Sequence, residues 1–126
     1  FASELGHWEM FGYGMFAVTR KGEERPVALV GPWTPPDWPE TEIGWMVLDA
    51  AAEGTGIARE AAEGALGYVW RVLKWDTVVS YIAEGNDRSV RLAERLGARL
   101  DLEAPAPEAV GKTILVYRHP RPEGLA

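Results

Sequence analysis

The chain has 126 residues, of which 47% are hydrophobic and 25% are charged, an ordinary composition for one globular domain. Cysteine is absent, which excludes disulfides, thiolate metal sites and a cysteine nucleophile. The net charge of −6 argues against nucleic acid as a main partner, and no stretch has the pattern of a membrane span or a signal peptide. We therefore expect a cytoplasmic protein without a nucleic-acid, membrane or metal partner.

The first forty residues predict a helix, a hairpin and a stiff loop. Apolar residues at helical spacing predict that residues 1–10 are the tail of an amphipathic helix. Residues 13–20 and 27–33 predict two strands, joined by a polar turn at residues 21–24. His7 has no second histidine nearby, so we expect a surface or capping role for it rather than a metal ligand.

The segment of residues 31–39 contains four prolines, which excludes regular structure and predicts a loop. It also contains Trp33 and Trp38. Either the two indoles pack this loop on the body of the protein, or they form a wall of an acceptor pocket.

The stretch from Glu42 to Ala65 is the most informative part of the sequence. Residues 43–48 predict a strand, and Gly54 and Gly56 then precede a helical pattern that places apolar residues, among them Ala62, Ala65 and Val72, on one buried face. The first N–H groups of a helix have no internal partner and lie at the positive end of the helix dipole. Glycine lets the backbone approach an anion closely. This stretch therefore predicts a site for a pyrophosphate-bearing cofactor.

Three known kinds of phosphate-binding loop could fit this stretch, and the spacing of their residues distinguishes them. A nucleotidase loop requires Gly-Lys-Ser/Thr after four intervening residues, and the chain lacks that spacing. A dinucleotide fingerprint has an acid at a suitable distance in Asp76, but Arg59 replaces its third glycine. The acyl-CoA loop reads Gln/Arg-x-x-Gly-x-Gly/Ala, and here its glycine part matches while its first position is Ala51.

The last third of the chain predicts a strand at residues 77–83, a helix, and two further strands at residues 99–102 and 113–118. Asn86 or Asp87 suits the start of the helix, and Gly97 lies where a left-handed residue would end it. His119, next to a proline, is predicted to be part of the chain end and not a catalytic base.

Two motifs in this order resemble the GNAT superfamily of N-acetyltransferases. Asn86-x-x-Ser89-x-x-Leu92, followed by residues 94–98 (ERLGA), is similar to the second signature of that family. Residues 42–45 (EIGW) and 80–86 resemble its ribosomal-protein-alanine acetyltransferase branch. The resemblance extends over residues 13–118.

The resemblance implies an α+β fold, with a central, mostly antiparallel twisted sheet whose middle strands splay apart and are flanked by helices. It also implies a single acetyltransferase-like domain over residues 1–126. Family members normally have one further strand before this point, so we expect the domain to lack the usual first strand. A sheet edge left open in this way would favour a homodimer.

The resemblance further implies acetyl-CoA as co-substrate, with the pantetheine arm in the gap between residues 43–48 and 77–83. Backbone groups of Val47 and Leu48 would bind pantetheine, and Asn86 would orient its amide or cap the helix. Ser89 belongs to the same site. The pyrophosphate would contact the glycine loop and the start of the helix, namely Gly54, Thr55, Gly56, Ile57, Ala58 and Arg59.

Acetyl transfer to an amine requires a neutral nitrogen, and a carboxylate helps to remove its proton because a free amine is mostly charged at pH 7. Glu42 matches the position of this base in several family members. Many relatives use a tyrosine as general acid at the position of Ala93, so that role falls to Ser89, with Tyr81 as the reserve candidate. Each of these residues also has a structural interpretation, as a strand-end carboxylate, a helix cap or a strand side chain.

Two other functions remain open at this point. The chain could be a catalytically idle acyl-CoA-binding module, because the usual acid position is Ala93. It could also be a Rossmann-type nucleotide-binding fragment, although Arg59 and the preceding hairpin disfavour this. For an enzyme, the acceptor would be a protein N-terminal amine or a small amine.

Overall fold

A computed structural model describes residues 2–125, with side chains described from residue 7 onward. The predicted helix at the start of the chain is present, although Phe1 lies outside the described residues. The elements in chain order are α1 (Ala2–Phe11), β1 (Phe16–Thr19), β2 (Pro26–Trp33), β3 (Glu42–Val47), a 3₁₀ turn (Ala50–Ala52), α2 (Ile57–Tyr68) continued by a π-helical turn (Val69–Leu73), β4 (Val79–Ala83), α3 (Asp87–Arg95), β5 (Arg99–Leu100) and β6 (Ile114–Arg118).

The six strands form one mixed sheet in the order β1-β2-β3-β4-β6-β5. Strands β3 and β4 run parallel, while the other neighbouring pairs run antiparallel. Helix α2 packs on β2 and β3, and α3 packs on β4. The predicted α+β architecture is therefore confirmed. A Rossmann unit would require a mostly parallel sheet, so that alternative is wrong.

The two middle strands diverge immediately after they meet. A single residue pair, Glu42 with Val79, joins β3 to β4 within the described chain. Each of these strands pairs along its length with its other neighbour: β3 pairs with β2, and β4 pairs with β6. The divergence therefore opens a gap inside the sheet, where backbone N–H and C=O groups of both strands lack their usual ladder partners.

The main core lies between α2 and the first half of the sheet. Helix α2 contributes the small residues Ala62 and Ala65, which let its backbone approach the strands closely. Val72, which the helical pattern assigns to the buried face, is 62% exposed, whereas Trp70 is buried. The reason is the π-helical turn, whose extra residue rotates the following side chains out of phase with α2.

The predicted loop at residues 31–39 begins later than its prolines suggested. Gly31, Pro32 and Trp33 are the last residues of β2 and pair with β3. A proline is tolerated there because β1 pairs no further than Val30, so β2 is an edge on that side.

Glycine substitutions at two helix positions test this description of the backbone. Gly64 lies exposed in α2, and an added Cβ would meet no heavy atom within 4 Å. Gly64→Ala should therefore raise the free energy of unfolding by about 0.5–1 kcal/mol. Gly97 follows α3 with a φ of +89°, a conformation that is costly for alanine. Gly97→Ala should therefore lower the free energy of unfolding by about 1–2 kcal/mol. Urea denaturation measures both, and effects of the same sign would contradict the assigned conformations.

Candidate functional site

Two clefts meet at the gap between β3 and β4. The strand cleft, with a volume of about 270 Å³, lies between these two strands and reaches Met15 and Trp33 at one end. The loop cleft, with a volume of about 890 Å³, lies between the glycine loop (residues 52–59) and α3. Both clefts are lined by the same four residues where they meet: Trp45, Met46, Asn86 and Ser89. The two clefts therefore adjoin, and together they extend from the start of α2 to the middle of the sheet; we refer to the pair as the channel.

The glycine loop has the backbone geometry that an anion site requires. Gly54 and Gly56 have φ values of +75° and +84°, which favour glycine. Gly56 is the N-cap of α2, and its position provides no side-chain cap for the first N–H groups of the helix. Thr55 instead donates its hydroxyl hydrogen to the Ala52 carbonyl, at 2.6 Å, which braces the loop. The N–H groups at the start of α2 therefore remain available to a ligand.

The wall of the loop cleft opposite the glycine loop is basic. Arg88, Arg91 and Arg95 on α3 line it. Arg59 lines the glycine-loop side of the cleft, and its Nε donates to the Glu63 carboxylate at 3.1 Å. Arg88 also forms an ion pair with Glu53, which links the start of α3 to the glycine loop. The sequence analysis missed the three arginines of α3. Their spacing of three and four residues places them on one helix face and was the available signal, but it acquires meaning only when α3 is seen to face the loop.

Glu42 lies at the point where β3 and β4 diverge, and 7% of it is exposed. Its Oε2 accepts a hydrogen bond from the Tyr81 backbone N–H at 2.8 Å, and its Oε1 accepts one from the Trp38 indole at 2.6 Å. Burial raises the pKa of this carboxyl to about 7, against the opposing effect of these two hydrogen bonds. Its ionisation is therefore balanced near neutral pH, which suits a general base.

The two candidate acids occupy different parts of the channel. Ser89, at the start of α3, lies where the two clefts meet, and its hydroxyl oxygen accepts a hydrogen bond from the Trp45 indole at 3.2 Å. Tyr81 lines the strand cleft, and its hydroxyl oxygen accepts from the Glu40 N–H at 3.0 Å. Burial raises the pKa of the Tyr81 phenol, which keeps it protonated at neutral pH. Ala93 is buried and provides no polar group.

The remaining predicted residues divide into those in the channel and those outside it. Val47, Gly54, Thr55, Gly56, Ala58, Arg59 and Asn86 line the loop cleft. Leu48 and Ile57 line neither cleft, and the Leu48 N–H already donates to the Val27 carbonyl at 2.8 Å. Of the two tryptophans, Trp33 lines the strand cleft, whereas Trp38 contacts it through Glu42. Asn86 caps α3, since its side-chain oxygen accepts from the Ser89 N–H at 3.4 Å.

Both histidines are buried, which the sequence analysis predicted for neither. His7 pins α1 to the sheet: its Nδ1 bonds to the Tyr13 carbonyl at 2.9 Å, and its Nε2 accepts from the Thr34 N–H at 2.8 Å. The surface role predicted for it is therefore wrong. No group of three or more metal-binding side chains occurs among the described residues, and no described helix is long and apolar enough to cross a membrane.

His119 is not a free chain end but part of the wall behind the strand cleft. Its Nε2 lies 2.8 Å from the Ser80 hydroxyl, which donates to the Ile43 carbonyl at 2.7 Å. Because that serine has one hydrogen to donate, it must accept from His119, which fixes the neutral Nε2–H tautomer. Burial lowers the pKa of His119 to about 4. This series of hydrogen bonds connects the end of β6 to β3 across β4.

Comparison with known proteins supports the sequence resemblance. The family model described as "Acetyltransferase (GNAT) domain" matches residues 2–99. L-2,4-diaminobutyric acid acetyltransferase of Streptomyces coelicolor is 34% identical over 99 residues, which cover 75% of this chain and 58% of the relative. The chain thus spans less than two thirds of the length of this relative.

Solved structures share the same fold. An acetyltransferase from Agrobacterium tumefaciens superposes with a TM-score of 0.85 and 32% identity, over 94% of this chain and 67% of that one. A ribosomal-protein-S5-alanine acetyltransferase from Vibrio fischeri gives a TM-score of 0.73 over 98% of this chain and 70% of that one. Its identity is 14%, so this second likeness shows the fold alone.

The buried position of His119 predicts a loss of stability in acid. Its folded-state pKa of about 4 lies below the ordinary value of 6.5, so the unfolded chain binds more protons between these values. The stabilising effect of the neutral imidazole is complete above pH 6.5 and is lost as the pH falls through 4. The loss attributable to this group should be on the order of 3 kcal/mol.

The measurement is urea denaturation of wild type and His119→Gln at several pH values between 4 and 7.5. Other groups titrate in this range, so the informative quantity is the difference between the two proteins. That difference should shrink as the pH falls. A difference that stays constant would show that His119 is not buried in the neutral form.

Proposed function

The chain belongs to the GNAT family of acetyltransferases, and on that premise we propose that it is an acetyl-CoA-dependent N-acetyltransferase acting on a primary amine. The observation that supports this most is the channel, which places an anion-binding loop at one end and a buried carboxylate at the other. A cofactor with a phosphate end and a thioester end, joined by a narrow arm, fits such a channel.

The residues of the loop cleft suit the nucleotide end of acetyl-CoA. The backbone N–H groups of Gly54, Gly56 and Ala58 would bind the pyrophosphate, and Arg59 with the arginines of α3 would neutralise the phosphates. The pantetheine arm would then pass Val47 and Asn86 into the gap between β3 and β4. Backbone groups left unpaired by the divergence of the strands would bind it as an added strand. Leu48 contributes packing at most, because its N–H is occupied.

The proposed reaction is direct attack of the amine on the thioester. Glu42, as the carboxylate, accepts a proton from the acceptor nitrogen, directly or through a water. The neutral nitrogen forms a bond to the thioester carbonyl carbon, and the carbon–sulfur bond breaks. The departing thiolate takes a proton from Ser89, which lies where the two clefts meet, or from Tyr81, and that hydroxyl regains a proton from the acylated nitrogen, which loses its second proton as the amide forms. The products are the N-acetylated amine and CoA.

The proposal includes two classes of acceptor, a protein N-terminal amine and a small amine. The sequence motifs favour the ribosomal-protein-alanine branch and hence a protein N-terminal amine, whereas the Streptomyces relative is named for an amino acid. A catalytically idle acyl-CoA-binding module is the alternative, since Ala93 replaces the usual acid. The elevated pKa of Glu42 favours the enzyme, because an idle module gains nothing from a carboxyl poised near pH 7.

The cofactor assignment predicts that acetyl-CoA binds and NAD does not. Arg91→Gln should weaken acetyl-CoA binding about fivefold, because it removes a charge from the loop cleft that is worth about 1 kcal/mol to a phosphate. Arg20→Gln, in the hairpin turn, is the matched control and should leave binding unchanged. Isothermal titration calorimetry measures each affinity. Equal losses in the two variants, or binding of NAD alone, would contradict the assignment.

The role of Glu42 predicts a pH-dependent rate. The carboxylate is the active form, and its pKa is about 7, so kcat/KM for a fixed amine should rise as the pH increases through 7. In Glu42→Gln this rise through pH 7 should be absent, and kcat/KM at pH 8 should be about 100-fold lower than in wild type. Release of the CoA thiol measures the rate.

Two controls separate this role from a structural one. Glu24→Gln removes an exposed carboxylate from the hairpin turn and should leave the profile of wild type unchanged. Glu42→Gln should keep its affinity for acetyl-CoA, which shows that the channel is intact. If kcat/KM of Glu42→Gln still rises through pH 7 as it does in wild type, Glu42 is not the base.

A further inference from the structure

We infer that the acceptor is a small amine with a single nitrogen and an apolar or aromatic body, and not an amino acid, a polyamine or a peptide. This inference rests on the proposed function, since it concerns the acceptor of that same reaction. Its basis is the charge, polarity and size of the strand cleft.

The strand cleft offers one charge to an acceptor. Among its described lining residues, Glu42 alone carries a charge at neutral pH, and none is a lysine or an arginine. The residues whose side chains are not described (1–6 and 126) include neither lysine nor arginine. An acceptor carboxylate would therefore lie close to Glu42 with no cation to neutralise it, and like charges at such a distance are strongly unfavourable.

Arg118, which lies near this end of the sheet, is already paired. Its N–H groups donate to both oxygens of Glu40 at 2.9 Å, and its Nε donates to Asp101 at 2.9 Å. A further N–H donates to the Thr77 hydroxyl at 2.7 Å. Two carboxylates thus more than balance the charge of this guanidinium. An acceptor carboxylate therefore finds no free cation in this cluster.

The walls of the cleft favour an apolar body. Met15, Trp33, Trp45 and Met46 line it, and aromatic side chains of this kind suit an aromatic ring or an ammonium group. A volume of about 270 Å³ holds the equivalent of about nine waters, part of which the acetyl group and the adjoining end of the pantetheine arm would fill. The first residue of a peptide would occupy what remains, and the rest of the peptide would gain no contact inside the cleft.

Apolar walls also assist the proposed chemistry. An ammonium group moved from water into such surroundings loses solvation, which lowers its pKa. Glu42 and the bound amine then differ less in proton affinity than they would in water. Transfer of the proton to the carboxylate is correspondingly easier, so the same walls that select the acceptor prepare it for attack.

The test compares acceptors that differ in one group. 2-Phenylethylamine is paired with L-phenylalanine and with L-phenylalaninamide, and pentylamine is paired with 1,5-diaminopentane. L-2,4-Diaminobutyric acid and an alanyl tripeptide amide complete the panel. We expect kcat/KM for 2-phenylethylamine to exceed that for L-phenylalanine by at least about 100-fold, with the amide in between. Pentylamine should exceed the diamine, and the tripeptide should be slower than either monoamine.

A charge insertion tests the same inference through the protein. Met15→Lys places a cation at the acceptor end of the strand cleft, and it should raise the rate ratio of L-phenylalanine to L-phenylalaninamide at least tenfold. Val110→Lys adds the same charge at a fully exposed position in the loop after β5 and should leave that ratio unchanged. An unchanged ratio in Met15→Lys, with acetyl-CoA affinity retained, would contradict the placement of the acceptor in this cleft.

Binding of the acceptors is measured separately from turnover, by quenching of tryptophan fluorescence in the presence of CoA. If 2-phenylethylamine binds more tightly than L-phenylalanine but no amine is acetylated, the inference stands and the proposed function fails. If an amino acid, a diamine or the tripeptide is acetylated fastest, the proposed function stands and the inference is overturned. If no amine binds or reacts, both are overturned.

Discussion

The site depends on the separation of β3 and β4 after their single shared pair. Two side chains end the ladder of backbone hydrogen bonds at this point. The Glu42 carboxylate accepts from the Tyr81 N–H, and the Ser80 hydroxyl donates to the Ile43 carbonyl. Each satisfies a backbone group that a neighbouring strand would otherwise pair. Beyond them the strands diverge, and the gap becomes a channel that connects the middle of the sheet with the start of α2. Without this divergence, the glycine loop would bind phosphates at a distance from any reactive carboxylate.

Burial displaces the ionisation of two groups beside the point where β3 and β4 diverge. It makes the charged form of Glu42 costly, and it keeps His119 neutral well below its ordinary pKa. The cost at Glu42 is tolerated because its carboxylate also forms hydrogen bonds to the loop after β2 and to β4. Glu42 therefore combines a structural role, as partner of Trp38 and Tyr81, with the proposed chemical one. The same burial that raises its pKa makes it suitable as a base near neutral pH.

Local signals predicted the fold and much of the channel. The glycine loop, the Asn86 cap and the left-handed Gly97 are fixed by interactions within a few residues, so the sequence could indicate them directly. The burial of His119 could not be predicted in this way, because its partner Ser80 lies 39 positions away and no local pattern links the two. Val72 was misplaced because a π-helical turn shifts the phase of a helix without a sequence signature.

The candidate site shows the same division between local and tertiary information. The position of Glu42 was predicted from its motif, but its two donors and its burial depend on how the loop after β2 folds back on β4. The basic wall of α3 was present in the sequence as three spaced arginines. Its meaning appeared only when the sheet brought that helix to face the glycine loop. Backbone groups of Leu48 were predicted to bind pantetheine, yet its N–H donates to the Val27 carbonyl and is therefore occupied.

The most direct test of this account is an experimental structure of the protein with acetyl-CoA bound. The account predicts the pyrophosphate at the N–H groups of Gly54, Gly56 and Ala58, the pantetheine arm between β3 and β4, and the thioester where the two clefts meet, near Ser89. The acetyl group should face the half of the strand cleft that contains Glu42. A cofactor bound outside the gap, or strands β3 and β4 paired along their length in the complex, would contradict it.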